Sequence, residues 1–269
     1  MTDTLHYLTM GFYLGGTILA LAFLVHRSER VSKISFGLTV AGFLCHTAGL
    51  IGNMVSVGRF PIMTFKEAMS FFAWGLVFVL VIVGVKRGRQ VLGAFILPLA
   101  LLSLISATLA PSEPGALPPV LRTVWVHITL SMLGTIGFAV AFVAGVMYVL
   151  QDRLLKSKQF NVLYFKLPPL DFLDSLNQHS ILLGFPLLTL GILTGAVSAQ
   201  LTIGSYLSWN PEQIWAMVTW VFYLAVLLGR VTAGWRAKKA AYLTIVGFAG
   251  VILTFVGILL KGHQTASLL

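Results

Sequence analysis

Gly204-Ser205-Tyr206-Leu207-Ser208-Trp209-Asn210-Pro211-Glu212-Gln213-Ile214-Trp215 sits between two long apolar segments, at about 180–203 and 213–229. An α-helix needs about 20 apolar residues to cross the hydrocarbon of a bilayer. The quoted stretch therefore reads as a loop joining two membrane helices. Trp220 and Tyr223 follow Trp215 on the second of them. Most loops of this kind carry no such concentration of aromatic rings.

Working outward, the same criterion picks eight apolar runs: 7–25, 35–57, 69–85, 91–110, 124–150, 180–203, 213–229 and 242–260. The third and seventh are short or interrupted. Of the 269 residues, 58% are hydrophobic and 10% charged, with mean hydropathy +0.93. Soluble domains carry about 25% charge. The expectation is an all-α, polytopic integral membrane protein, with residues 1–269 forming a single transmembrane domain. The first run lacks a basic leader and is too long for the apolar part of a signal peptide, so it reads as an uncleaved helix. Cys45 is the one cysteine, which excludes an internal disulfide and a cysteine-rich metal site.

Charge sets the expected orientation. Alternate loops hold Arg27, Arg30 and Lys33; Lys86, Arg87 and Arg89; Arg153, Lys156, Lys158 and Lys166; and Arg230, Arg236, Lys238 and Lys239. The opposite loops hold only Arg59, Lys66, Arg122 and Lys261. Basic residues accumulate on the cytoplasmic side, so both termini are expected outside. This asymmetry absorbs the net charge of +10 and removes the reason to invoke nucleic acid. Residues 151–179, with Pro168, Pro169, Asp171 and Asp174, read as a cytoplasmic amphipathic connector lying along the inner surface. Gly191 and Gly195, spaced GxxxG, predict close helix packing.

The polar residues narrow the chemistry. His127 falls at the outer start of the fifth run, and His263 lies just past the outer end of the eighth. Neutral imidazole is a common axial ligand of haem iron. Trp209, Trp215, Trp220 and Tyr223 offer flat surface for a porphyrin at the same face. Arg59 and Arg122, with Lys66 and Lys261, are the outer cations available to haem propionates. Each feature has a plainer alternative: an interfacial histidine, an aromatic belt, headgroup contact. His46 lies near the midplane, either as a functional group or as a neutral histidine bonded to a neighbouring helix. His26 and His179 read as inner-interface residues and His6 as solvated. There is no GxSxG, P-loop or HExxH, and no pair of buried carboxylates. No catalytic constellation is expected, and a small-molecule transporter has only its helix count in favour. Glu67 is the one acid placed to enter a helix bundle.

On these residues the chain resembles the cytochrome c assembly membrane proteins, including CcsA, CcmC and the HemX-like branch. That family's outer loop reads approximately W-G-x-x-W-x-W-D-P-K-E-x-W, followed by W and Y on the next helix. Leu170-Asp171-Phe172-Leu173-Asp174, Gly184-Phe185-Pro186-Leu187-Leu188-Thr189-Leu190-Gly191-Ile192 and Gly58-Arg59-Phe60-Pro61 leading to Glu67 and Trp74 are similar to CcsA. The resemblance implies that His127 and His263 ligate haem b, bound in transit, and that Trp209 and Trp215 contact the porphyrin. It implies a bacterial cytoplasmic membrane with the site on the periplasmic side, and as partners a CcsB-like membrane protein and an apocytochrome c. Thioether attachment of haem would then need a partner, since this chain has no CxxC. Four positions depart from the pattern: Ile203 and Leu207 replace loop tryptophans, Asn210 replaces the aspartate, and Leu228 stands where CcsA carries a membrane-embedded histidine. The alternative implied is a HemX-like regulator of tetrapyrrole synthesis acting on glutamyl-tRNA reductase, with or without haem.

Overall fold

Hydrocarbon offers the backbone no hydrogen-bond partners, so a spanning segment must satisfy its N–H and C=O groups internally. Each apolar run is accordingly a helix. The computed structural model describes residues 2–25, 28–86, 90–110, 124–158, 161–207, 211–235 and 237–266. The helices are α1 Thr2–Val25, α2 Glu29–Val57, α3 Phe65–Gly84, α4 Gly93–Leu109, α5 Val124–Lys156, α6 Val162–Lys166, α7 Leu170–Ile203, α8 Pro211–Thr232 and α9 Ala237–Ala266. A 3-10 turn, Gln90–Leu92, leads into α4. The described residues contain no strand. The chain is thus the all-α polytopic membrane protein expected. Among the described residues, seven helices are long and apolar enough to cross a membrane: α1 to α5, α7 and α8. The eighth run, 242–260, lies within α9.

Helix ends explain the boundaries. Thr64 caps α3 in a reciprocal capping box: its side chain accepts from Glu67 N–H, and the Glu67 carboxylate accepts from Thr64 N–H. Such a cap contributes about 1 kcal/mol. Gly58 and Gly204 end α2 and α7 with φ of 67° and 70°, a left-handed conformation that only glycine adopts at little cost.

The helices assemble as two neighbouring groups. In the first, α1 packs on α2 and α4, and α3 packs on α4. In the second, α5 packs on α7 and α9, and α8 packs on α7 and α9. Helix α3 lies on α5 and joins them. Leu76, Leu80, Leu97, Leu104, Phe138 and Met147 are fully buried along this junction and around it.

Segment 151–179 divides between three elements. Residues up to Lys156 continue α5, and those from Leu170 begin α7, so among the described residues the break holds only the five-residue α6 as helix. Its Asp174 is drawn into a polar lock instead. The buried Arg230 guanidinium of α8 donates to Asp174 Oδ1 (3.3 Å) and Asn177 Oδ1 (2.5 Å). Asn177 Nδ2 then donates to Ala141 O (2.7 Å) and Thr244 Oγ1 (3.0 Å). One cluster therefore ties α5, α7, α8 and α9 together near the basic ends of α7 and α8.

Candidate functional site

The α5–α7 seam is built on glycine. A Cβ at Gly134 would meet Leu188 N at 2.8 Å, and one at Gly137 would meet Ser180 O at 2.9 Å. The two backbones can approach this closely only because both positions lack side chains. Toward the end of the seam where basic residues are sparse, Gly191 and Gly195 open space for polar groups of α5. A Cβ at Gly191 would meet the backbone N of Ser131 at 3.0 Å, and one at Gly195 would meet His127 Nδ1 at 2.6 Å. The GxxxG spacing does mark close packing, and what it accommodates is His127.

His127 is oriented by one short bond. Its Nδ1 lies 2.7 Å from Gly191 O. A carbonyl only accepts, so Nδ1 carries a proton, and in the neutral form of the ring the lone pair is on Nε2. Ser131 Oγ stands 3.5 Å from the same Nδ1. No hydrogen bond to Nε2 occurs among the described residues, and the side chain is half-buried. A ring held at one nitrogen by a backbone carbonyl, with the other free, is how metal-ligating histidines are commonly set. Gly191, Gly195 and Ser131 were not expected to serve the site. The signal was present in the GxxxG spacing, but spacing alone does not say which side chain fills the groove.

The aromatic residues divide by depth. Trp215 is half-exposed at the start of α8, and Tyr206 before it is more exposed still. Trp125 on α5 is likewise exposed. Trp220 turns inward: its Nε1–H donates to Thr189 Oγ1 (2.9 Å) and its ring stacks on Phe185 at 5.5 Å. Tyr223 is fully buried, its ring parallel to Phe138 with centroids 3.7 Å apart. Both inner rings are thus engaged with the α5–α7 pair. Trp209 and Arg122 lie outside the described residues. His263 falls in α9, and its side chain also lies outside them.

Arg59 is committed locally. Its guanidinium forks onto Glu67, with Nη1 to Oε2 at 2.9 Å and Nη2 to Oε1 at 3.1 Å. Glu67 also accepts from Met63 N–H and Thr64 N–H, so the pair fixes the loop into α3.

His46 shows the opposite arrangement to His127. Tyr13 Oη lies 3.2 Å from its Nδ1 and Ser70 Oγ lies 2.9 Å from its Nε2. Both nitrogens are occupied, by α1 and α3. This is the second of the two readings its position allowed. His6, expected in solvent, has Nε2 3.0 Å from Thr108 Oγ1. His179 Nδ1 donates to Ser175 O at 2.7 Å. Leu228 is half-exposed on α8. Among the described residues, no three histidine, cysteine or acidic side chains are grouped to hold a metal ion.

Residues 62–264 match the cytochrome C assembly protein family. The chain is 29% identical over 259 residues to the cytochrome c biogenesis protein CcsA of Guillardia theta, covering 88% of this chain and 86% of that one. It is 31% identical over 265 residues to CcsA of Prochlorococcus marinus strain NATL1A, covering 86% and 83%. The solved structure of the cytochrome c heme lyase CcmF is similar in fold, with TM-score 0.70 and 16% identity over 97% of this chain and 49% of that one. A match running from the loop before α3 almost to the end of α9 takes in the α5–α7 seam, the tryptophan-bearing loop and the last helix together, and the chain belongs to the cytochrome c assembly protein family.

Proposed function

We propose that this protein works in cytochrome c maturation, holding haem in transit at the basic-poor face of the membrane. The observation that carries the reading is His127. Its Nδ1–H is fixed on Gly191 O and its Nε2 is left available, in a niche that Gly195 keeps open. Haem, when bound, supplies the iron porphyrin that a cytochrome needs, and this chain supplies orientation. His263, near the C-terminal end of α9, is the second axial ligand of the proposal. Trp215, with Trp209, gives the porphyrin an aromatic surface. Trp220 and Tyr223 act from behind, through Thr189 and Phe138, by holding α8 against the α5–α7 pair. Arg59 is engaged by Glu67, which leaves Arg122, with Lys66 and Lys261, as the cations for a propionate.

The basic-poor face is outer in this reading, and both termini lie there with it, because basic loops stay on the cytoplasmic side. A bacterial cytoplasmic membrane fits, with haem b as the bound form. No reaction is assigned to the chain alone. Ligation to an apocytochrome c is left to a complex with a CcsB-like membrane partner. Kinship with CcsA proteins supports maturation over control of glutamyl-tRNA reductase.

Two measurements test the proposal. The purified protein is expected to show a Soret band with about one haem per chain. Absence of haem after expression in a haem-sufficient host would refute it. Reporter fusions at residues 32, 88, 160 and 237 should all report the cytoplasmic side, and an outward signal at 160 would reverse the assigned face.

A further inference from the structure

At the basic end of the first helix group, α1, α2, the 3-10 turn and α6 enclose a cavity of about 240 Å³. It lies where α1 has just ended at Val25, α2 begins at Glu29 and the Gln90–Leu92 turn leads into α4. These are helix ends, so the cavity sits at the depth of lipid headgroups. Its lining carries both signs of charge. Lys33 and Lys166 supply ammonium groups and Glu29 supplies a carboxylate. Between them Ser32 Oγ donates to Gln90 Oε1 at 2.7 Å, giving a neutral polar floor.

The elements around it are placed for a lipid. Lys166 is held by Phe23: its Nζ donates to the Phe23 carbonyl and stands 4.1 Å from the centroid of the ring. That contact docks α6 on α1. Phe165, its neighbour, is 68% exposed at the cavity edge, and Val25 at the end of α1 and Ile34 in α2 expose apolar side chains. An exposed phenylalanine at a helix end belongs at the boundary of headgroup and acyl chain. Glu29 forms no ion pair among the described residues. Ser28, the N-cap of α2, makes no side-chain capping bond, so first-turn N–H groups of α2 are open to an anion.

We propose that this cavity binds one phospholipid with a phosphoethanolamine headgroup. The phosphate lies between Lys33, Lys166 and the α2 N-terminus, and the primary ammonium donates to Glu29. The arrangement discriminates by what it rejects as well as what it accepts. Phosphatidylcholine has a quaternary nitrogen with no N–H to give Glu29. Phosphatidylglycerol has no cation there at all and is drawn to the many basic residues of this end without selection. The inference stands apart from haem binding and does not depend on it.

Native mass spectrometry of the full chain tests it, with phosphatidylethanolamine, phosphatidylcholine and phosphatidylglycerol of identical acyl chains. One phosphatidylethanolamine is expected to survive activation that strips the other two. Glu29→Gln and Lys33→Ala should each lower its occupancy about fivefold, as for loss of one partly exposed ionic contact. Lys86→Ala, at the same end but off the cavity, should leave it unchanged. Glu29→Lys should turn the preference toward phosphatidylglycerol. Equal retention of phosphatidylcholine, or an unaltered Glu29→Gln variant, would overturn the proposal. Displacement by soluble phosphoethanolamine at equal concentration would also overturn it, by showing that the ligand is a free metabolite and not a lipid.

Discussion

His127 and His46 lie in the two different helix groups, and they differ in how many ring nitrogens the protein has claimed. His46 stands eleven residues before the end of α2, about 16 Å along the helix axis. There an unpaired imidazole would be costly, and Tyr13 and Ser70 satisfy both of its nitrogens. His127 is three residues from the start of α5, within one turn of the helix end. The fold spends a single backbone carbonyl on it and leaves Nε2 unclaimed. In the proposed reading, burial alone does not mark a ligand. The better guide is a histidine whose bonding is half finished in a place that can be reached.

The sharpest way to break this contrast is His127→Ala. It should abolish the Soret band of the purified protein while leaving helix content by circular dichroism unchanged. Retention of the band would move the site elsewhere. Next in size is Gly195→Ala. The new Cβ would fall within 2.6 Å of Nδ1, so the ring must turn away from Gly191 O. Haem retention should drop about 10- to 100-fold, the usual range for losing a group that orients a ligand. A haem titration followed by absorbance reads this directly.

His46→Ala should act on stability and not on haem. It leaves the Tyr13 and Ser70 hydroxyls unpaired, at a cost of about 1–3 kcal/mol. A lower thermal midpoint with an intact Soret band is the expected outcome, and a lost band would erase the distinction between the two histidines. Arg59→Ala should do least to the spectrum. Its guanidinium already serves Glu67, so the change loosens the loop into α3 by about 1 kcal/mol and leaves haem affinity within about twofold. A large loss of haem would show that Arg59 abandons Glu67 when the site fills.

Most helices were legible because a bilayer demands long apolar segments and the chain has little else. Their ends were less so. α7 begins at Leu170, ten residues before the apolar run, because Asp174 and Asn177 find partners in Arg230 and Thr244 on other helices. A polar residue continues a membrane helix when a distant residue satisfies it, and no local pattern reports that partner. The site divides the same way. His127 was visible as an imidazole at a helix start. Arg59 looked equally available, and only the fold shows it engaged eight residues along the chain by Glu67. Tyr223 and Trp220 looked like flat surface for a porphyrin, but their place in the sequence does not say what covers a ring. Phe138 and Phe185 do the covering.

From the sequence by itself came the helical class, the number of apolar runs, the asymmetry of charge and the candidate residues of the proposed haem site. These depend on composition and on spacing along one chain, and hydrocarbon punishes any departure from them. Tertiary structure alone decided which polar groups are already paired, which glycines give way to a side chain across the seam, and that Gly195 makes room for the His127 ring while Gly191 O holds its Nδ1. Each of those is a relation between residues tens of positions apart, such as His127 with Gly191 or His46 with Tyr13, and it is set by the close packing of helices that the order of residues does not display.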